Sequence, residues 1–379
     1  IINPVFSGGG SGGKVQKYDW DGTLLWDFPY SDSAFHQHHD IHPMPNGNVL
    51  ILSWGYRTAQ EAIDRGRDPD LVNNSLWPTY VTEVEPVYPD QGNVVWEWTM
   101  WDHLIQDFDS TKLNFGVVAD HPELLDINYL NTPAADWLHC NAVSYNPDLD
   151  QIVISSRKSS EIYVIDHSTT TAEAASHSGG DHGKGGDILY RWGNPQIYDR
   201  GGADDQMLFG PHDIHWIPDS LPDGGKFLVF NNSGGSDGSA VNMFTSPANA
   251  SGEYPDPGTS AFGPTVFDWH FEQLGFNSET ISGAQRMPNG NTLICKGSSG
   301  HIFEVGQSDN IVWDYVNPAG NAGIIAQGEQ PMQNGVFRAY RYPVNYPAFI
   351  GKNLSPGNMI ELEPLPSTCQ IYPEDTISE

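Results

Sequence analysis

Positive charge is scarce in this chain: 17 lysines and arginines stand against 48 aspartates and glutamates in 379 residues, a formal net charge of −31. Such a surface repels nucleic acid and anionic lipid at moderate salt, which excludes partners held by general electrostatic attraction. It suits a protein kept hydrated in a salty or marine setting. Cysteine is as sparse. Cys140, Cys295 and Cys369 form no CxxC pair, so neither a thiolate metal site nor a redox motif is read, and both a pairing and buried free thiols stay open. No apolar run is long enough to span a bilayer as a helix, so membrane insertion is not expected. Long stretches of helical period are also missing; only 58–67 (TAQEAIDRGR) and 120–130 (DHPELLDINYL) read as short helices. The sequence opens on IINPVF without methionine, which reads as a removed signal peptide or a trimmed N-terminus. With the acidic balance, that makes an exported protein of the periplasm, cell surface or medium the expectation.

What is abundant is turn chemistry. Forty glycines and 28 prolines separate short alternating runs, the composition of an all-β fold. The clearest unit is 138–166, LHCNAVSYNPDLDQIVISSRKSSEIYVID, three strands with a reactive pair at one end. A turn centred on Asp148 in the NPDLD segment puts His139 opposite Arg157, a base and a fixed cation on one rim. The pattern recurs. MPNGN occurs at 44–48 and 287–291, an Asn-Gly turn leading into a strand, and His-Asp-Ile-His occurs at 39–42 and 212–215. Outer strands carry an aromatic anchor at Trp26, Trp96, Tyr190, Phe267 and Trp313. Repeated units that cannot bury both faces alone argue for a β-propeller with long rim loops.

Along the chain, 1–13 reads as a glycine-rich lead-in whose first residues could join the last blade, 14–360 as a single propeller domain, and 361–379 as an acidic tail or linker. His36, His38, His39 and His42 look like a metal cluster. Strand alternation, however, sends His39 to the face opposite the other three, so hydrogen-bonded or catalytic histidines are read there and no metal site. Residues 57–78 read as a polar rim lid or loop, and Trp96, Trp98 and Trp101 as core. The glycine-rich 167–186 leaves His177, His182 and Lys184 exposed, and 233–263 reads as a long surface loop. A turn near Leu221 and Pro222 sets Asn231 opposite His212, and the next hairpin sets Lys296 opposite Gly283.

Three segments, WLHCNAVSYNPDLDQIVISSR, HHDIHPMPNGN and PHDIHW followed by LVFNN, resemble the bacterial aryl-sulfate sulfotransferases that work without a nucleotide sulfate donor. The likeness covers most of 14–320. It implies a six-bladed propeller with a funnel-shaped site, no cofactor, and a histidine that takes the sulfuryl group from a phenolic sulfate donor and hands it to a phenolic acceptor. By that resemblance His212 holds the nucleophile position with His215 as the neighbouring alternative. His139 and Arg157 bind sulfate oxygens, His39 is a further donor, Asn141 and Asn231 orient them, and Lys296 is the positional counterpart of a sulfate-binding lysine. The residue types suit the chemistry, since neutral imidazole is a good nucleophile and arginine offers a planar fork to two anionic oxygens. A second reading is a non-catalytic structural or binding propeller of the cell surface, open to self-association; a third is a histidine-metal hydrolase or a polysaccharide lyase.

Overall fold

The computed structural model describes residues 3–326, 328–358, 360 and 362–363, so Cys369 and nearly all of the expected acidic tail lie outside the described residues. The described chain is all-β with few, short helices. It divides into two compact units, 1–216 with 246–266, and 217–245 with 267–379.

The first unit holds two four-stranded antiparallel sheets in simple chain order, the blade pattern of a propeller. One comprises Phe35–Pro43, Val49–Gly55, Thr79–Val87 and Gln91–Thr99; the other comprises Cys140–Asn146, Gln151–Ser156, Glu161–Asp166 and Tyr190–Trp192. Their central strands, VLILSWG, QIVISS and EIYVID, are almost entirely buried, which explains the predominance of β-branched and apolar residues over polar alternation. Trp96, Trp98 and Trp101 are buried as expected, in one apolar cluster with Leu52, Ile152, Ile154 and Tyr163.

The repeated MPNGN is the same turn made twice. Gly47 and Gly290 take φ of 91° and 83°, a region open to glycine at little cost. Met44 and Met287 each exchange backbone hydrogen bonds across the turn. Both copies also spend their asparagines alike: Asn46 and Asn48 donate to Glu83, and Asn289 and Asn291 to Glu304, each glutamate on the third strand of its own sheet.

The lead-in is not loose. Phe6 is buried between His36, Trp54 and Trp77, and the Gly12 and Gly13 amides donate to the Gln37 carbonyl, so the glycines let this segment lie flat along the first strand. The expected helix at 58–67 is a short one, Ala59–Asp64, with Thr58 and Glu61 forming a capping box. The helix read at 120–130 does not form. Leu125–Asp126 pairs instead with Leu104–Ile105, buried Arg191 donates to the carbonyls of Pro122 and Leu124, and buried Arg67 donates to those of Ile127, Leu130 and Thr132.

The two sheets of this unit are pinned by His167, whose Nδ1 bonds Asp150 at 2.6 Å and whose Nε2 bonds Glu83 at 3.0 Å. Burial alone would lower its pKa, but these two carboxylates outweigh it and push it up to about 9, while their own pKa values are lowered, first by the hydrogen bond to His167. The stabilisation is fully present below the unfolded histidine value near 6.5 and is lost as pH rises through 9. Thermal melts should therefore show stability falling by about 2 kcal/mol between these limits, and His167→Gln should flatten that slope; an unchanged slope in the variant would disprove the assignment.

The second unit pairs Phe227–Gly235, Gly238–Phe244 and Trp269–Phe271, and forms a four-stranded sheet from Gly283–Arg286, Thr292–Lys296, His301–Val305 and Ile311–Val316. Phe230, Phe271, Phe276 and Phe303 dominate its core. Within the expected 233–263 loop lies the strand Gly238–Phe244, because Ser236 and Asp237 make a tight reversal and SAVNMF can pair back. The anchor expected at Phe267 falls before its strand, which starts at Trp269. Gly283 pairs with Cys295, one residue short of the expected Lys296, whose partner is His301. Cys140 and Cys295 are both buried free thiols, and burial pushes the Cys140 thiol up to about 12.

Candidate active site

Strand alternation should keep the histidines of the first strand apart, and a bulge overrides it. Between Gln37 and Ile41 the register shifts and His39 takes φ of 52°; between Cys140 and Ala142 it shifts again, beside His139 at the same φ of 52°. Left-handed backbone at a histidine is uncommon, and bulges re-aim side chains, so the same departure in two neighbouring first strands turns both rings toward one place. The two rings meet edge to face with centroids 4.6 Å apart. The ring of His39 lies where a Cβ on Gly10 would stand, 2.2 Å from it, so the lead-in must carry glycine at that point.

Hydrogen bonding assigns the protons. Asp136 accepts from His139 Nδ1 and, through its other oxygen, from Trp54 Nε1 at 3.0 Å. A carboxylate on Nδ1 leaves the lone pair of His139 on Nε2, the orientation of a base or nucleophile. His38 and His39 share one proton across 2.8 Å between their Nδ1 atoms. His38 is fully buried on the face of Trp54, and burial, reinforced by the neighbouring His39 and His139, holds its pKa well below the usual value, so it is neutral. Its Nε2 has no hydrogen-bond partner among the described residues.

The opposition of His139 and Arg157 arises from two slips that cancel. Asn146 pairs with Gln151, so the turn is centred half a residue beyond Asp148, which alone would set His139 opposite Lys158. The bulge at Asn141 restores the register, and the Arg157 amide donates to the His139 carbonyl at 3.1 Å. Lys158 meanwhile ties down the approach to the site by donating to the carbonyl of Asp136. The Arg157 side chain passes Gly210, its Cγ 3.8 Å from where a Cβ there would be. Two residues on, buried His212 holds its Nδ1 3.2 Å from the Gly210 carbonyl, which as an acceptor fixes the proton on Nδ1 and the lone pair on Nε2. His215 turns its Nδ1 to the carbonyl of Asp213 at 2.9 Å instead. Although 39–42 and 212–215 share His-Asp-Ile-His, the left-handed residue is His39 in the first and Asp213 in the second, so the matching letters do not share a conformation.

The first strands Phe35–Pro43, Cys140–Asn146 and Pro211–Trp216 run as neighbours. Side chains bridge them: Asp40 accepts from the Val143 amide at 3.0 Å, and Asn141 donates to the Pro211 carbonyl at 2.8 Å while accepting from Ser155. Asn141 thus holds the strand that carries His212. Asn231 and Lys296 belong to the second unit, where Asn231 donates to Asn242 at 3.1 Å and Lys296 to the Gly275 carbonyl at 3.0 Å. Sequence reasoning missed Asp136; the only available signal was its place three residues before His139. His36 is spent on Ser11 and Ser31, so the four-histidine run gathers no ligand set. Among the described residues, the one group of metal-ligand type is His103, His177 and Asp187.

A family model described as Arylsulfotransferase (ASST) matches residues 8–254. No curated protein matches the chain. Solved structures similar to it include a protein of unknown function from Bacteroides caccae, with 11% identity, a TM-score of 0.39, and 80% of this chain and 74% of that one covered. Virginiamycin B lyase from Staphylococcus aureus shares 11% identity at a TM-score of 0.36, covering 84% and 69%. The Cps50 (Swd1) β-propeller domain of Myceliophteria thermophila shares 9% at 0.37, covering 83% and 88%.

Proposed function

We propose, from the premise that this chain belongs to the arylsulfotransferase family, that it moves a sulfuryl group from a phenolic sulfate to a phenolic acceptor through a sulfohistidine, on a propeller of six blades. The observation that carries this reading is the set of oriented imidazoles in one unit: His139 on Asp136, His39 beside it, and His212 on the Gly210 carbonyl.

His212 Nε2 attacks the sulfur, the bond from sulfur to the aryl oxygen breaks, and its electron pair leaves on the phenolate. A neutral carbonyl on Nδ1 suits a nucleophile that must start uncharged, and it stabilises the Nδ1–H once Nε2 is sulfated. His139, entering the cycle with Nε2 also protonated and its charge matched by Asp136, gives that proton to the departing phenolate; the neutral ring then takes one from the acceptor phenol, whose oxygen attacks sulfur and releases His212. Asp136 fixes the tautomer that makes this possible. Arg157 and His39 supply donors to the equatorial sulfate oxygens, a local positive focus against the acidic field of the whole protein. An exported location is part of the proposal and rests on composition alone.

With a chromogenic aryl sulfate and a phenol acceptor, the wild-type chain should release phenolate, and Asp136→Asn should lower kcat by roughly 10²-fold or more with little change in KM. No turnover with any phenolic acceptor would favour the binding-propeller reading.

A further inference from the structure

We infer that His103, His177 and Asp187 form a binding site for a divalent ion of the zinc type, which clamps the glycine-rich 167–187 segment to the end of the first sheet. His103 follows the strand Gln91–Thr99, whereas His177 and Asp187 both lie in or just after that segment. One ligand atom from each residue falls within 4.8 Å of the others.

The hydrogen bonding makes the case. His103 Nε2 faces the Ala174 carbonyl at 2.8 Å, so it bears the proton. Its Nδ1 then presents a lone pair to Asp187 Oδ1 at 2.8 Å, and His177 Nδ1 meets the same oxygen at 2.7 Å. His103 is fully buried, and lone pairs opposed at that range need a proton or a cation between them. A ring that donates one N–H to a carbonyl and turns its other nitrogen on a shared centre is the usual arrangement of a metal-binding histidine.

Two imidazoles and a carboxylate match zinc and not the all-oxygen shells of calcium or magnesium. Bonds of ~2.0–2.1 Å in a tetrahedral shell set ligand atoms about 3.3 Å apart, so binding would widen each of the two spacings to Asp187 by about half an ångström. His177 can supply that movement because its side chain is 62% exposed, and its open side leaves the fourth position to water. The segment has reason to be clamped. It carries Gly179, Gly180, Gly183, Gly185 and Gly186, costly to order, and its ties to the first sheet include Trp98 Nε1 to the Gly186 carbonyl at 2.7 Å, Trp96 Nε1 to Thr169 at 3.1 Å and the His167 bond to Glu83. The site is separate from the sulfuryl-transfer residues and does not rest on that reading.

The test is titration of the metal-stripped full chain with Zn²⁺, and with Co²⁺ as a visible probe of tetrahedral nitrogen and oxygen ligands. One equivalent of Zn²⁺ should bind and raise the melting temperature. His177→Gln, an exposed change that spares the core, should weaken binding at least tenfold and abolish the cobalt bands; Asp187→Asn should do the same, while His139→Gln should bind as the wild type does. Absence of stoichiometric binding, binding indifferent to His177→Gln, or binding lost in His139→Gln would each overturn the assignment.

Discussion

His212→Ala should lower kcat/KM for aryl-sulfate transfer by at least about 10³-fold, because it removes the atom that carries the sulfuryl group between the two half-reactions. His139→Ala should cost less, about 10²-fold, since a general acid-base group can be partly replaced by water or by an activated phenol with a good leaving group. The ordering discriminates between the two oriented imidazoles. His139 has the carboxylate of Asp136 on Nδ1, which favours a ring that takes and returns protons, whereas His212 has a neutral carbonyl. If His139→Ala proves the more severe with both variants folded by circular dichroism, the nucleophile assignment must pass to His139. A more acidic leaving phenol should narrow the His139→Ala deficit and leave that of His212→Ala unchanged.

Arg191→Ala should destabilise the fold by about 3–5 kcal/mol, enough to lower the melting temperature of its unit by roughly 6–20 °C. Arg191 and Glu161 are both fully buried, joined by two hydrogen bonds, one of them 3.0 Å from Nε. The guanidinium also lies 4.4 Å from the centre of the Tyr198 ring and donates to the Leu124 carbonyl at 2.8 Å. Burial holds the Glu161 carboxyl above its usual range even with Arg191 beside it, so the charge is tolerated only because the partner is present. Removing the arginine strands that carboxylate and frees the carbonyls of Pro122 and Leu124. The pair as a unit is worth far less than its loss suggests, so Glu161→Gln combined with Arg191→Met should recover part of the deficit. Equal melts for wild type and Arg191→Ala would show that the pair contributes nothing to the fold.

The turns were legible because their chemistry is local: Asn-Gly at 46–47 and 289–290 dictates a reversal whatever surrounds it, and the buried runs beside them can hardly be anything but strands. The bulges were not. Nothing in the letters says that His39 and His139 adopt left-handed backbone, yet that departure from alternation is what brings the two rings together. The opposition of His139 and Arg157 was foreseen from a turn centre half a residue off, and the bulge at Asn141 makes up the difference. Nothing about Arg67 in its polar stretch or Arg191 in the strand Tyr190–Trp192 hinted that they would gather carbonyls from 122–132. Asn141 is read from the resemblance as orienting the site residues, and its hydrogen bonds to Pro211 and from Ser155 hold the strand that carries His212. Asp136 sits in an insertion without periodicity, where pattern reading has nothing to grip.

The most direct measurement is intact-mass and peptide analysis of the chain after acid-free quenching from an aryl sulfate in the absence of acceptor. The account predicts one added SO₃ per chain, mapped to His212 and discharged when a phenol is supplied. Turnover without any protein-bound sulfuryl group, or a group carried on a residue other than His212, would contradict it.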